Sequence, residues 1–438
     1  MSFGPKEISL AYDRIRKFVH RTPVLQSACL DQLSGKQLFL KAENLQKTGS
    51  FKARGALNAI LLLKEKYGEK TPGVITQSSG NHGQALAFAA RTLNVPCTVV
   101  VPSNAPKCKR DAIAAYGAKL VECAPTMTAR LETCEKLAAD ENLVVIDPHN
   151  DYEIMAGQGS VAMELLEQVP DLDAILVPVG GGGLVSGIAT WVKHVKPECK
   201  VFCVEPQGKE LERCLHAGER LWADPPKLLN TVADGIRVER VGDRCFQFVV
   251  ANCEKTVLSV TNEEIIDAMK LTWSRTKQTI ESTSATGIAA VLASRNKATL
   301  AQCHHIGVIL CGGNVDLDCL PWLLMTCSWW GLGYDVVAAP IGLFDASMLN
   351  ISESKGSPWW DSWWDGKSAS GWLSVPFLIS STCQGAGELA PRCKDLHDRA
   401  EAVRRTARRT KAPSSRSPSP SGDDRRGRRR SMTTPYDA

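Results

Sequence analysis

From about residue 70 to residue 320 the chain alternates short apolar runs with stretches of helical spacing. Residues 73–79 (GVITQSS) read as a strand entering a loop, and 83–94 (GQALAFAARTLN) as a helix with small residues along one face. Strand, helix and strand follow at 96–102 (PCTVVVP), 108–117 (CKRDAIAAYG) and 118–123 (AKLVEC), then a helix at 130–141 (RLETCEKLAADE) and a strand at 143–148 (LVVIDP). A second set comprises 173–183 (DAILVPVGGGG), 184–196 (LVSGIATWVKHVK), 200–206 (KVFCVEP) and 305–314 (HIGVILCGGN), read as strand, helix, strand and strand. The alternation predicts an α/β fold of parallel sheets covered by helices. Two such sets in one chain predict two domains with a ligand cleft between them.

The pattern stops near Leu320. The segment 319–390 is rich in Trp, interrupted by Pro and Gly, and has no clear period. Within 319–344, which carries one charge, the longest uncharged piece falls short of the ~20 residues that a membrane-spanning helix needs, so a span is not the favoured reading there. Residues 391–438 are basic and rich in Arg, Ser and Pro, and are expected to be disordered. Such an arm can bind RNA or an acidic surface; a solvated tail without a dedicated partner is the simpler reading.

Composition changes this picture little. The 438 residues are 44% hydrophobic and 23% charged, ordinary for a globular chain of two or three domains. The net charge of +5 is concentrated towards the C-terminus. The 16 cysteines are scattered, with no CxxC pair, and no apolar signal region follows residues 1–6. Reduced thiols and a cytoplasmic location are therefore expected. His304, His305 and Cys303 lie together, but adjacent residues point different ways and no zinc site is predicted.

Chemistry enters with residues 178–189, PVGGGGLVSGIA. A buried strand ends, four glycines follow, and a helix begins near Leu184. Glycines let backbone N–H groups converge on an anion, and a helix N-terminus adds partial positive charge, so the run reads as a phosphate cradle. It lacks the GK[ST] of a nucleotide-hydrolysing loop and the GxGxxG spacing of a dinucleotide site. A phosphate cradle with a reactive lysine points to a phosphorylated aldehyde, pyridoxal phosphate, which forms a Schiff base with a lysine amine. Lys52, within 47–56 (KTGSFKARGA), is one candidate. Its charge alone does not distinguish it from a solvated lysine at a helix start.

SFKARGA (50–56), SSGNHGQA (78–85), PVGGGGL (178–184) and LCGGN (310–314) stand in an order that resembles the fold-type II pyridoxal-phosphate enzymes. Within them the chain is similar to the serine racemases and serine/threonine dehydratases, over residues 8–318. The resemblance implies a two-domain, tryptophan synthase β-like fold, with 1–72 and 151–318 as the large cofactor-binding domain and 73–150 as a small α/β domain. It makes Lys52 the Schiff-base lysine and a base at Cα. It sets Phe51 against the cofactor ring and Asn81 at the ring's 3′-oxygen. It places Gly180, Gly181, Gly182, Gly183 and Leu184 at the phosphate, and Cys311 opposite the pyridine nitrogen. A thiol is a weak donor, so the ring nitrogen is expected to stay largely neutral and carbanion character at Cα to be brief. Ser78, Ser79, Asn81, His82 and His149 are implied on the substrate side.

Racemisation needs acid/base groups on both faces of Cα. The resemblance gives Lys52 one face and Ser79 the other; dehydratases without racemase activity often carry Ala there. The implied function is a racemase interconverting L- and D-serine, with β-elimination of serine to pyruvate and ammonia. An L-threonine/L-serine ammonia-lyase with little racemisation is the alternative, and a non-catalytic RNA- or partner-binding protein the remote one. The family's divalent-cation site, for Mg2+ or Ca2+, uses a Glu, a backbone carbonyl and a second acid. Glu205 and Lys209 match the first two, but the second acid falls on Leu211, which leaves metal binding open. Val238 and His149 also depart from the family, on the substrate side. Ser27, Lys47, Thr48, Gln84, Tyr116, Lys277 and Asn314 match an ATP effector pocket, whereas Ala28 and Cys29 do not. A homodimer is implied as well.

Overall fold

The strands are β1 (Val24–Leu25), β2 (Gln37–Lys41), β3 (Val74–Thr76), β4 (Cys97–Pro102), β5 (Lys119–Cys123), β6 (Val144–Val145), β7 (Ala174–Pro178), β8 (Lys200–Pro206), β9 (Leu258–Val260) and β10 (His305–Ile309). They form two sheets, in the orders β1-β2-β10-β7-β8-β9 and β5-β4-β3-β6. Every pairing is parallel except β1 with β2. The computed structural model describes residues 3–105, 107–223 and 227–322, all within one compact unit. The segment after residue 322, with the basic tail, lies outside the described residues.

The apolar runs form these strands because helices cover both faces of the larger sheet. Ile175, Val177 and Val201 enter one core with Val185 and Ile188, while Leu176, Val204 and Val308 enter another with Ala285 and Ala289. Neighbouring side chains thus point into opposite cores, and neither face of the central strands is left for polar residues.

Two local differences from the pattern matter for function. The strand expected over 143–148 is only Val144–Val145, because Asp147 turns the chain. Its Oδ1 accepts the backbone N–H groups of His149 (2.8 Å) and Asn150 (2.6 Å), as Asp does in turns. The helix expected to start at residue 83 begins at Asn81 and runs to Thr92.

Helix Tyr152–Gln168 leaves no amphipathic stripe in the sequence, because it is buried on almost every side. It joins two other helices by glycine contacts. A Cβ at Gly157 would lie 2.7 Å from the carbonyl oxygen of Arg54, in helix Lys52–Tyr67. A Cβ at Gly187, in helix Gly183–Val195, would lie 2.4 Å from the carbonyl oxygen of Met155. The helix carrying Lys52 and the helix following the glycine run are thereby held at fixed distance by a common neighbour.

Candidate active site

Ligand sites in parallel sheets lie beyond the C-terminal ends of the strands, and four such ends meet here. The residues after β3 (Ser78–Asn81), β6 (Asp147–His149), β7 (Gly180–Gly183) and β10 (Cys311) line one cavity of about 470 Å³. Lys52 reaches it from the start of its helix.

The segment before Lys52 is stitched to the end of β10. Ser50 pairs with Gly312, and the Phe51 N–H donates to the Cys311 carbonyl at 3.1 Å. Phe51 is buried, and the Lys52 Nζ lies 5.2 Å from its ring centroid. Nζ donates to the carbonyl of Pro148 at 2.5 Å. Burial pushes the Lys52 amine down to about 8, although the charge of Asp147 pulls the other way. A substantial neutral fraction near pH 7 is what a nucleophilic lysine needs. Asp147 remains an anion: burial alone would raise its pKa, but His149 and the two backbone N–H groups hold it below the usual carboxylate range.

The glycine run has no room for side chains. A Cβ at Gly181 would sit 2.1 Å from the His149 ring, and one at Gly183 would sit 2.6 Å from the His149 carbonyl oxygen. Gly182 has φ +97, a left-handed conformation that glycine adopts without strain. The first N–H groups of the following helix have no intrahelical acceptors. Leu184, buried in its first turn, lines the same cavity.

Asn81 is held by partners distant in sequence. Its Nδ2 donates to both carboxylate oxygens of Glu281 at 3.0 Å, and its Oδ1 accepts from Asn314 Nδ2 at 2.9 Å. Gly312 leaves the space, since a Cβ there would lie 2.7 Å from Glu281 Oε1. Burial, then the nearby Asp234, pushes Glu281 up to about 8. His82 places Nε2 at 3.2 Å from the Ile146 carbonyl, and its Nδ1 has no protein partner. Burial and the Lys52 charge push His82 down to about 3, leaving a neutral ring. Burial likewise pushes the Cys311 thiol up and keeps it protonated. Ser284 Oγ lies 3.4 Å from its sulfur and bonds both the N–H and the C=O of Gly312. Ser79 and Ser78 line the cavity, half-buried. These residues fit pyridoxal phosphate: a buried amine, a cradle closed to side chains, a fixed amide and a protonated thiol around one cavity.

The other sequence-expected groups divide. Asn314 Nδ2 donates to the Thr48 carbonyl at 2.7 Å, beside Lys47. Gln84 lies one turn beyond Asn81, and Tyr116 packs edge-on against Phe88 of the same helix at 5.8 Å. Lys277 ends helix Asn262–Thr276, and Ser27 precedes helix Ala28–Ser34. Glu205 and Lys209 are both buried, but the Lys209 carbonyl accepts the Trp222 indole N–H at 2.6 Å and position 211 is a buried Leu.

Sequence reasoning missed Glu281, Asp147, Lys109, Arg130 and Arg237, all of which line the cavity. Asp147 carried a signal, since Asp before Pro marks a turn. Glu281 carried none, because an acid at a helix start is ordinary and its partner Asn81 is far away in the chain.

The sequence profile of the pyridoxal-phosphate-dependent enzymes matches residues 15–312. The serine racemase of Dictyostelium discoideum is 45% identical over 320 residues, 73% of this chain and 97% of that protein. The β-hydroxyaspartate dehydratase of Paracoccus denitrificans is 41% identical over 318 residues, 72% of this chain and 98% of that protein. Among solved structures, a pyridoxal 5′-phosphate-dependent aspartate racemase superposes with a TM-score of 0.71 at 46% identity, covering 74% of this chain and 99% of that one.

Proposed function

The chain belongs to the pyridoxal-phosphate-dependent enzymes, in the serine racemase and serine/threonine dehydratase family, and we propose that it interconverts L- and D-serine and also eliminates water from serine to give pyruvate and ammonia. The observation that carries this reading is that Lys52 and Ser79 line one cavity with the closed glycine cradle. When bound, pyridoxal phosphate supplies a carbonyl that takes up amino groups and an electron sink that weakens the bond from Cα to hydrogen.

The residues do the rest. Lys52 Nζ, poised near pH 8, takes the Cα proton from one face. Ser79 Oγ holds the proton that is returned on the other. The N–H groups of Gly180–Gly183 and the following helix would take the phosphate, Phe51 would flank the ring, and Asn81 would hold its oxygen. The protonated Cys311 thiol, a weak donor, would leave the pyridine nitrogen uncharged, which would favour prompt reprotonation or elimination. Arg130 and Arg237 line the cavity and offer positive charge to an amino-acid carboxylate, whereas Lys109 is paired with Asp234 of the same wall. Elimination needs only Lys52 and a proton for the leaving hydroxyl, so threonine belongs among the substrates to be tested.

ATP is the proposed effector. Asn314 ties the Thr48 carbonyl to Asn81, and Asn81 holds Glu281 in the cavity wall. Scattered cysteines, free throughout the described residues, support a reducing, cytoplasmic setting, and a homodimer is the proposed assembly. The test is to incubate purified holoenzyme with L-serine and follow D-serine and pyruvate together. Both products are expected. Pyruvate without D-serine would leave an ammonia-lyase, and neither product from serine or threonine would overturn the reading.

A further inference from the structure

The residue that the resemblance matches to the family's cation-binding carbonyl is itself a lysine. Lys209 is fully buried, and its Nζ donates to the carbonyls of Val238 (2.6 Å) and Glu239 (3.0 Å). Burial pushes the Lys209 amine down and the Glu205 carboxyl up, and the opposite charge of each pulls the other back. The oxygens a cation would need already accept hydrogen bonds. Glu205 accepts from the Leu211 N–H (3.2 Å) and the Ser259 hydroxyl (3.1 Å), and the Lys209 carbonyl accepts from Trp222. The neighbouring acids are engaged as well, Glu212 with the Val257 N–H and Glu210 with Arg213. Among the described residues no group of three His, Cys, Asp or Glu side chains is placed to hold a metal.

An ammonium has three N–H donors and no acceptor, so it can bind two carbonyls from one point. A Mg2+ or Ca2+ ion does the same with oxygens at roughly 2.0–2.6 Å. What Lys209 holds is functional ground: Val238 lines the active-site cavity with Asp234–Arg237, and it bridges Leu228 on the opposite wall of that strap.

We propose that the Lys209 ammonium is a built-in cation that fixes the strap at Val238 and Glu239 beside β8, and that the enzyme therefore needs no divalent metal. Lys209 is a positioning residue in this reading, acting on substrate through Val238.

The test uses the full-length holoenzyme, stripped with EDTA and assayed without nucleotide in EDTA, Mg2+ or Ca2+. A cation that binds the folded state raises Tm as its concentration climbs past its Kd. The expected result is one Tm in all three conditions and turnover of L-serine within about 2-fold, the scatter of a site without linkage. A Tm that climbs with Mg2+ or Ca2+, or inactivation by EDTA, overturns the proposal. Lys209→Met is expected to lower Tm and to raise KM for serine more than it lowers kcat, because the loosened strap forms the substrate wall. Unchanged Tm and KM in that variant also overturn it. If Lys209→Met does not fold, the wild-type Tm comparison decides, and it does so even for a protein inactive on serine.

Discussion

Lys52 and Arg54 stand two residues apart in the first turn of one helix, both are buried, and their pKa values move in opposite directions. Arg54 is fully buried between two carboxylates. Its guanidinium donates to Glu43 (2.8 Å, twice) and to Glu164 (2.8 and 2.9 Å), and Lys41 donates to Glu164 at 2.7 Å. Two cations and two anions saturate one another, with Thr22, Ser160 and Gln168 taking remaining bonds. Burial would discharge Arg54, but its carboxylates outweigh burial and raise its pKa further, while Arg54 outweighs burial at Glu43 and lowers that one. Lys52 has one carbonyl partner and no carboxylate in ion-pair contact, so burial prevails and its amine falls to about 8. The same helix turn thus makes one cation permanent and the other reactive. The difference lies in partners, since both side chains leave bulk water.

The sharpest break in this comparison is Lys52→Met. Turnover of serine should fall by about 10⁴-fold or more, with the fold intact by circular dichroism. Retained turnover would remove Lys52 from the chemistry. Arg54→Met should act through stability. It leaves Glu43 a buried anion without its ion-pair partner and Glu164 with Lys41 alone, at a cost of about 3–5 kcal/mol in urea unfolding. A near-neutral result would mean that the quartet is not the anchor of the helix carrying Lys52. Ser79→Ala sharpens the assignment of faces. D-Serine formation should drop on the order of 10²-fold while pyruvate formation persists, so the product ratio moves. Equal losses in both would assign Ser79 to substrate binding only.

The smallest effect is in pH. Neutral amine captures the cofactor, so the rate at which apo-protein takes up pyridoxal phosphate should rise with pH. Because the folded Lys52 value is depressed, the rise should centre near 8 and not near the ~10.4 of a solvated lysine. A stopped-flow absorbance titration measures it, and a midpoint near the solvated value would place Lys52 in water.

What could be read from residues alone follows the range of the interactions. The apolar runs of β7 and β8, the glycine turn at 180–183 and the helix that begins at Asn81 are local patterns, and the structure contains them. Helix Tyr152–Gln168 was illegible because burial on all sides erases periodicity. Lys52 and Arg54 look alike in SFKARGA, since what separates them is Glu43 and Glu164 on one side and Pro148 on the other. The hold of Glu281 on Asn81 and of Lys209 on Val238 likewise exists only after folding, when groups far apart in the chain meet.

Peptide mapping after borohydride reduction tests the central claim most directly. Reduction fixes pyridoxal phosphate covalently on the lysine that carries it, and the mass of the modified peptide identifies that residue. The account predicts the added mass on Lys52 alone. The same mass on another lysine, the buried Lys41 or Lys209 included, would contradict it.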